Sequence, residues 1–234
     1  ELARRHFGID VPVSVTGLWI PEFAELMTRA ADARDGDGRQ AGAPGNENGQ
    51  ALLSRTPRQT VLPAHVDIVF HGHAVEAKGA RWMADVAAAL PTRQVLFPFP
   101  KPAKWAKTTE NCHFVDLSWH SGLAKLVESA PITAVPSLWS APIETALIKS
   151  LALAKQVAIV DNSSSYSAEL PAQLVLRLPH DPAIAAKELE AALATTSDNR
   201  TSTARTTWCN QFVSANATAA QRCLDRAFPR RAPA

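Results

Sequence analysis

The stretch "PSLWSAPIETALIKSLALAKQVAIVDN" (residues 136–162) contains a strand end, a loop, one helix and the following strand. The Pro-Ser pair ends an apolar run, and Pro142 suits the first position of a helix, where its missing N–H is not needed. Glu144 falls in the first predicted turn, where a carboxylate interacts favourably with the helix dipole. The apolar run VAIV at residues 157–160 is the next strand. The stretch therefore predicts a strand–helix–strand crossover, the unit from which parallel sheets are built.

The same alternation continues on the amino-terminal and carboxyl-terminal sides of this unit. Five further apolar runs are predicted to be strands: residues 66–71, 94–97, 114–115, 132–135 and 174–178. Segments with helical spacing of apolar residues predict helices: residues 80–90, 123–130, 143–153 and 182–193. This order predicts an α/β, Rossmann-like, mostly parallel six-stranded sheet with helices on both faces. Ligands of such sheets bind at the carboxyl ends of the strands.

The segments outside this alternating region differ in composition. Residues 31–60 are polar, rich in glycine and without apolar periodicity, so they predict a flexible linker or insertion between residues 1–30 and the domain at 61–197. Residues 198–234 predict a closing helix and a basic tail. The chain begins without methionine, and we expect it to be part of a longer protein.

Composition excludes several classes of protein. The chain of 234 residues has 24 basic and 22 acidic residues, and this near balance argues against a nucleic-acid-binding protein. Three cysteines without regular spacing form neither a disulfide framework nor a zinc motif, which favours a cytoplasmic protein. No apolar run approaches the ~20 residues that a transmembrane helix needs.

Several ordered motifs give a more specific indication. "PSLW" at 136–139, "AKQV" at 154–157 and the Gly72…Lys78-Gly79 pattern resemble the donor-binding segments of family 4 retaining glycosyltransferases, which have the two-domain GT-B fold. The resemblance covers roughly residues 11–28 and 66–228, and it implies that residues 1–30 are the hinge segment and a remnant of the interdomain region. It implies the carboxyl-terminal half of such an enzyme, whose partner would be an amino-terminal acceptor-binding domain absent from this chain.

The resemblance also implies a substrate and candidate site residues. Its substrate would be a nucleotide-diphosphate sugar, transferred to a glycan or lipid-linked acceptor in polysaccharide or surface-glycan synthesis. Gly72, His73 and Lys78 would lie at the donor diphosphate, where positive charge stabilises the leaving group. His73 replaces the family's arginine, and an imidazole carries only part of a charge at neutral pH. Lys78, His73 and helix N-termini would supply the charge without a metal or a further cofactor.

The family's two donor-binding glutamates are missing. Their positions are Ala141 and Lys149. Glu144 or Ser140 could reach the donor sugar instead, with Ser137 in the same loop, although Glu144 could equally be a helix-terminus carboxylate. Lys149 could lie beside the diphosphate or on the outer face of its helix.

Three functions are therefore open. The first is the donor-binding half of a glycosyltransferase, which the family places in the cytoplasm and frequently at the cytoplasmic membrane face, so peripheral membrane association is one expectation. The second is a non-catalytic relative with a degenerate donor site that acts as an interaction or regulatory module. The third is another α/β nucleotide-binding protein, against which the absence of Gly-x-Gly-x-x-Gly and Walker motifs counts.

Overall fold

The structure is a computed structural model that describes residues 62–105, 107–139, 144–161, 170–195 and 199–227. The predictions for residues 1–30, for the linker at 31–60 and for the basic tail after Ala227 fall outside these residues. So do those for Ser140, Ala141 and Pro142.

Six parallel strands form a single sheet in the order β3-β2-β1-β4-β5-β6. This order is that of a doubly wound Rossmann-like sheet, and it confirms the predicted α/β fold class. The strands are β1 (Ile68–Phe70), β2 (Val95–Phe97), β3 (Cys112–Phe114), β4 (Ile132–Ala134), β5 (Val157–Val160) and β6 (Leu176–Leu178).

Helices cover both faces of the sheet. They are α1 (Ala80–Ala88), α2 (Ala124–Ser129), α3 (Thr145–Leu153), α4 (Pro182–Ala194) and α5 (Asn199–Ala227). The α1 and α4 helices pack on one face, and α2, α3 and α5 pack on the other. Asp181 begins α4 by accepting hydrogen bonds from the amides of Ala183 and Ile184, and Pro182 occupies its first turn.

Two apolar cores result, one on each face. Successive residues of β1 alternate between them, because strand side chains point to opposite faces: Ile68 and Phe70 enter the core beneath α1, and Val69 enters the core beneath α3. All three are fully buried. Burial of each such side chain contributes roughly 1.5–3 kcal/mol, which explains why the central strands read as continuous apolar runs.

Some element boundaries differ from the sequence prediction. The predicted strand 174–178 begins later, at Leu176, because residues Ala172–Leu174 form a single helical turn in which the Leu174 amide donates to the Pro171 carbonyl. The α3 helix begins at Thr145 rather than at residue 143.

Within the described ranges, no helix combines the length and the apolar character that crossing a membrane requires. The same residues contain no group of three or more side chains suited to holding a metal ion.

Candidate functional site

A cavity of about 640 Å³ lies at the carboxyl ends of the central strands. The chain leaves β1 toward one face of the sheet and β4 toward the other, so the crevice between these neighbouring strands is the topological switch point. The residues that line it include His71, Gly72, His73, Lys78, Phe99, Trp119, Glu144 and Lys149. The cavity is therefore where sheets of this kind bind ligands, between the N-termini of α1 and α3.

The turn before α1 packs directly against the loop after β4. Gly79 has a positive φ of 71°, and a Cβ atom placed on it would lie 1.9 Å from the carbonyl oxygen of Pro136. The amides of Leu138 and Trp139 donate to the Ala77 carbonyl at 2.9 and 3.1 Å. The Lys-Gly motif and the Pro-Ser-Leu-Trp motif, separated in the sequence, thus form one side of the site together.

Lys78 and Glu144 form an ion pair in this site. The Lys78 Nζ atom donates to the Glu144 Oε1 atom at 2.8 Å and lies 3.5 Å from the Ser137 hydroxyl oxygen. The side chains of Lys78 and Glu144 are 24% and 11% exposed. Partial burial strengthens the attraction between the charges relative to a surface pair. Ser137 is buried and is not one of the residues that line the cavity.

The role predicted for Glu144 at the helix start needs a correction. Glu144 precedes the first turn of α3, with extended backbone angles (φ −125°, ψ 109°), and its side chain makes no capping bond. Its carboxylate binds Lys78 instead, a contact between residues 66 positions apart. A contact over that distance in the chain could not be deduced from the spacing of helical residues.

Glu144 competes with any anion for the Lys78 ammonium group. We expect Glu144→Gln to strengthen the binding of inorganic pyrophosphate about three- to tenfold. The anion would no longer have to replace the charge-assisted hydrogen bond between Lys78 and Glu144, a difference on the order of 1 kcal/mol. Isothermal titration calorimetry measures this effect. Glu128→Gln, an exposed carboxylate on α2, is the matched control and should leave the affinity unchanged. Weaker binding in Glu144→Gln would show instead that Glu144 orients Lys78 for the anion.

Gly72 and His73 lie in the tight turn that follows β1. A Cβ atom on Gly72 would come within 3.0 Å of the Phe70 ring and 3.6 Å of the Lys78 Cβ atom, so no larger residue fits without a shift. His73 is exposed at the cavity, and its carbonyl accepts a hydrogen bond from the Val75 amide at 2.7 Å. The turn therefore presents the His73 side chain on the same cavity as Lys78.

Lys149 lies on the cavity side of α3 rather than on the outer face of the helix. Its Nζ atom is 4.9 Å from the centre of the Trp119 ring, a cation–π geometry. Of the residues predicted for the donor site, the structure thus brings Gly72, His73, Lys78, Glu144 and Lys149 to one cavity.

His71 is a cavity residue that the sequence analysis assigned only to a strand. His71 is 8% exposed, and its ring stacks on Trp119 with a centroid distance of 5.1 Å. Its Nδ1 atom is 2.9 Å from the hydroxyl oxygen of the fully buried Ser150. Burial lowers the pKa of His71 from its ordinary 6.5 to about 4, and Coulombic repulsion from Lys149 and His73 acts in the same direction. The sequence signal that could have identified His71 as a site residue was its position directly after a fully buried parallel strand.

The depressed pKa of His71 makes the fold sensitive to acid. The unfolded chain binds a proton at His71 below about pH 6.5 and the folded chain only near pH 4, so the free energy of unfolding should fall as the pH falls through this window. We expect a loss of about 2 kcal/mol between pH 7 and pH 5, measured by urea denaturation. The His71→Phe variant should lack this contribution, whereas His180→Asn, which changes an exposed histidine, should retain it. Equal pH dependence in wild type and His71→Phe would contradict the assignment.

Comparison with known proteins supports the fold. Neither a protein-family model nor a curated protein sequence matches the chain. Sucrose-phosphate synthase from Thermosynechococcus elongatus matches with a TM-score of 0.51 at 19% identity, over 69% of this chain and 45% of that one. The described residues have a Rossmann-like α/β fold that matches part of GT-B glycosyltransferase structures.

A second solved structure agrees with this GT-B assignment. OtsA in its apo state, a trehalose-6-phosphate synthase, matches with a TM-score of 0.50 at 14% identity, over 73% of this chain and 45% of that one. The GT-B-like chain described here thus spans less than half the length of either structure.

Proposed function

We propose that this chain is the donor-binding half of a glycosyltransferase, which binds a nucleotide-diphosphate sugar. The observation that carries the proposal is the position of His73, Lys78 and Lys149 around one cavity at the switch point of a GT-B fold. Three basic side chains on one concave surface fit a ligand with several negative charges. A diphosphate is such a ligand, and the rest of the cavity has room for the groups attached to it.

The local backbone supports an anion at the same place. The α3 helix begins at the cavity, which Thr145 and Ala146 line, and α1 begins two residues after Lys78. The amide groups of a helix N-terminus together with the helix dipole favour negative charge. Lys78 lies directly before the first turn of α1. The fixed dipoles and the mobile ammonium group would therefore act on the same phosphate groups.

This arrangement suits the chemistry of sugar transfer. As the bond between the anomeric carbon and the diphosphate breaks, negative charge develops on the leaving group, and cations already in position stabilise it. Lys78 would hold the leaving diphosphate, with Lys149 and His73 adding to the positive potential. Glu144, displaced from Lys78 by the ligand, would be placed to accept hydrogen bonds from sugar hydroxyl groups.

The resemblance to family 4 enzymes supports the finer parts of the proposal. It favours transfer with retention of the anomeric configuration, with the acceptor bound by an amino-terminal domain. Synthesis of a polysaccharide or surface glycan in the cytoplasm, at the membrane face, stays a prediction of that resemblance.

A non-catalytic relative with a degenerate donor site is the second candidate. It is favoured by the Lys78–Glu144 ion pair, which satisfies the main cation internally, and by Ala141 and Lys149 at positions where the resembling enzymes have carboxylates. Such a relative would keep the fold without a working donor site and would act as an interaction or regulatory part of a larger protein.

A thermal-shift screen tests the proposal. UDP, GDP, ADP and TDP and their common sugar conjugates are added at saturating concentration, where a ligand at a hundred times its dissociation constant contributes about 2.7 kcal/mol. We expect one base to stand out with a midpoint shift of several degrees. No shift with any of them would contradict the donor-binding proposal and favour the relative with a degenerate donor site.

A further inference from the structure

The hydrogen bonds of the Ser150 hydroxyl group determine which ring nitrogen of His71 carries the proton. Ser150 lies on α3, and its Oγ atom is 2.8 Å from the Ala146 carbonyl oxygen and 2.9 Å from the His71 Nδ1 atom. A carbonyl can only accept, so the Ser150 proton is donated to Ala146. Both contacts are hydrogen bonds at once only if His71 Nδ1 carries a proton and donates it to Ser150.

The second ring nitrogen of His71 is then a hydrogen-bond acceptor. In a neutral imidazole with a proton on Nδ1, the Nε2 atom has a free lone pair. Within the described ranges, Nε2 has no hydrogen-bond partner. It is not one of the fully buried polar atoms without a partner, so part of its surface is accessible. Since His71 lines the cavity, its Nε2 lone pair is available to a ligand there.

The ring is held in place by its neighbours. It is bonded to Ser150 on one edge and stacked on Trp119, with ring planes 13° apart. An acceptor fixed before binding loses little conformational freedom when a ligand arrives. A lone pair repels phosphate oxygens, so it selects a ligand group that donates a hydrogen bond.

We propose that the His71 Nε2 atom is a specificity-determining acceptor that receives a hydrogen bond from a hydroxyl group of the bound ligand, with Ser150 as the positioning residue. This inference rests on the proposed function and extends it. The cavity would then have two chemically distinct regions: the basic residues Lys78 and Lys149 for phosphate groups, and His71 for a hydroxyl group. Such hydroxyl groups occur both on the ribose and on the transferred sugar of a sugar nucleotide.

The first test is the tautomer in the free protein. Nitrogen-15 NMR of histidine-labelled protein distinguishes a protonated Nδ1 from a protonated Nε2. We expect the Nδ1–H form in wild type and a mixture of both tautomers in Ser150→Ala, in which the acceptor for Nδ1–H is lost. An Nε2–H form in the wild-type protein would overturn the inference, whatever ligand the protein binds.

The second test measures ligand affinity in two variants of His71. His71→Phe keeps a ring beside Trp119 but has no acceptor, and His71→Gln places an amide oxygen near the position of Nε2 as the rescuing variant. The probes are UDP-glucose, GDP-mannose, ADP-glucose and TDP-glucose, each beside its own nucleoside diphosphate, and inorganic pyrophosphate. Circular dichroism establishes that both variants are folded.

We expect His71→Phe to weaken binding of the preferred sugar nucleotide about tenfold, because a hydroxyl group is left without its partner. His71→Gln should restore most of this loss, and pyrophosphate should bind equally to all forms. A loss confined to the sugar nucleotide assigns the contact to the transferred sugar, and an equal loss for the nucleoside diphosphate assigns it to the ribose.

Unchanged affinity in His71→Phe, or no rescue by His71→Gln, would overturn the inference and leave the proposed function intact. If wild-type protein binds none of the probes, the proposed function fails, and the contact of His71 with a ligand fails with it.

Discussion

Replacing Gly79 with alanine should lower the free energy of unfolding by about 4 kcal/mol and the melting temperature by about 10 °C. Gly79 has a φ of 71°, where a residue with a Cβ atom loses roughly 1–2 kcal/mol. The new Cβ atom would also lie 1.9 Å from the backbone oxygen of Pro136, which cannot rotate away as a side chain can. Relief of this clash requires that the loop after β4 separate from the turn before α1.

Gly122→Ala is the matched control for this prediction. Gly122 also has a positive φ, 134°, but the nearest atom to its added Cβ is a side-chain methyl group of Leu117 at 3.7 Å. Its loss should therefore come from backbone strain alone, roughly 1–3 kcal/mol. We expect the larger loss in Gly79→Ala, measured by thermal and urea denaturation, because only Gly79 has the close approach to Pro136 in addition to a positive φ. Equal losses would show that this approach is not tight in solution.

Replacing Lys78 with alanine should weaken binding of the nucleotide diphosphate roughly 30- to 150-fold, equivalent to about 2–3 kcal/mol. Two effects add in the same direction. The diphosphate loses a charge-assisted hydrogen bond, and the Glu144 carboxylate, 2.8 Å from Lys78 in the wild-type protein, is left uncompensated beside the anion. Glu144 is only 11% exposed, so water screens its repulsion incompletely.

Two controls separate the site from general electrostatics. Lys125→Ala removes an exposed lysine on α2, outside the cavity, and should leave the affinity unchanged at physiological salt. The double variant Lys78→Ala/Glu144→Gln should recover part of the loss, because the repelling carboxylate is gone. Titration calorimetry with the nucleoside diphosphate preferred by the wild type measures both. Full affinity in Lys78→Ala would remove Lys78 from the binding site.

The sequence was most informative about the sheet. The run at residues 157–160 coincides with β5, and the runs at 94–97 and 132–135 each extend one residue beyond their strands. A strand buried on both faces has to be apolar at every position, and this constraint is visible in the sequence itself. The start of α3 was less predictable, since Glu144 has an extended backbone and its side chain contacts Lys78, a residue brought close only by the tertiary fold.

The site shows the same difference between features visible in the sequence and contacts that depend on the tertiary fold. Gly72, His73 and Lys78 follow β1 directly, so the topology of a parallel sheet places them at its carboxyl edge. His71 was missed as a site residue because its role depends on Ser150, 79 positions away in the chain, and on stacking with Trp119. Neither Ser150 nor Trp119 lies in a motif or at a spacing that would identify it as a partner of His71. Contacts of this kind become evident only when the packing of the two helices and the loops is known.

The position of the cavity between β1 and β4 has a consequence for folding kinetics. Its two sides are joined by contacts between residues 59 and 66 positions apart, from Lys78 to Ser137 and to Glu144. Closing a chain loop of that length costs entropy before the contacts repay it, so such pairings form late relative to local structure. An early intermediate containing only β1, β2 and β3 would have the Lys78 turn but no opposite wall. If the proposed site binds anions, newly synthesised chains should therefore bind them only after β4 has docked beside β1.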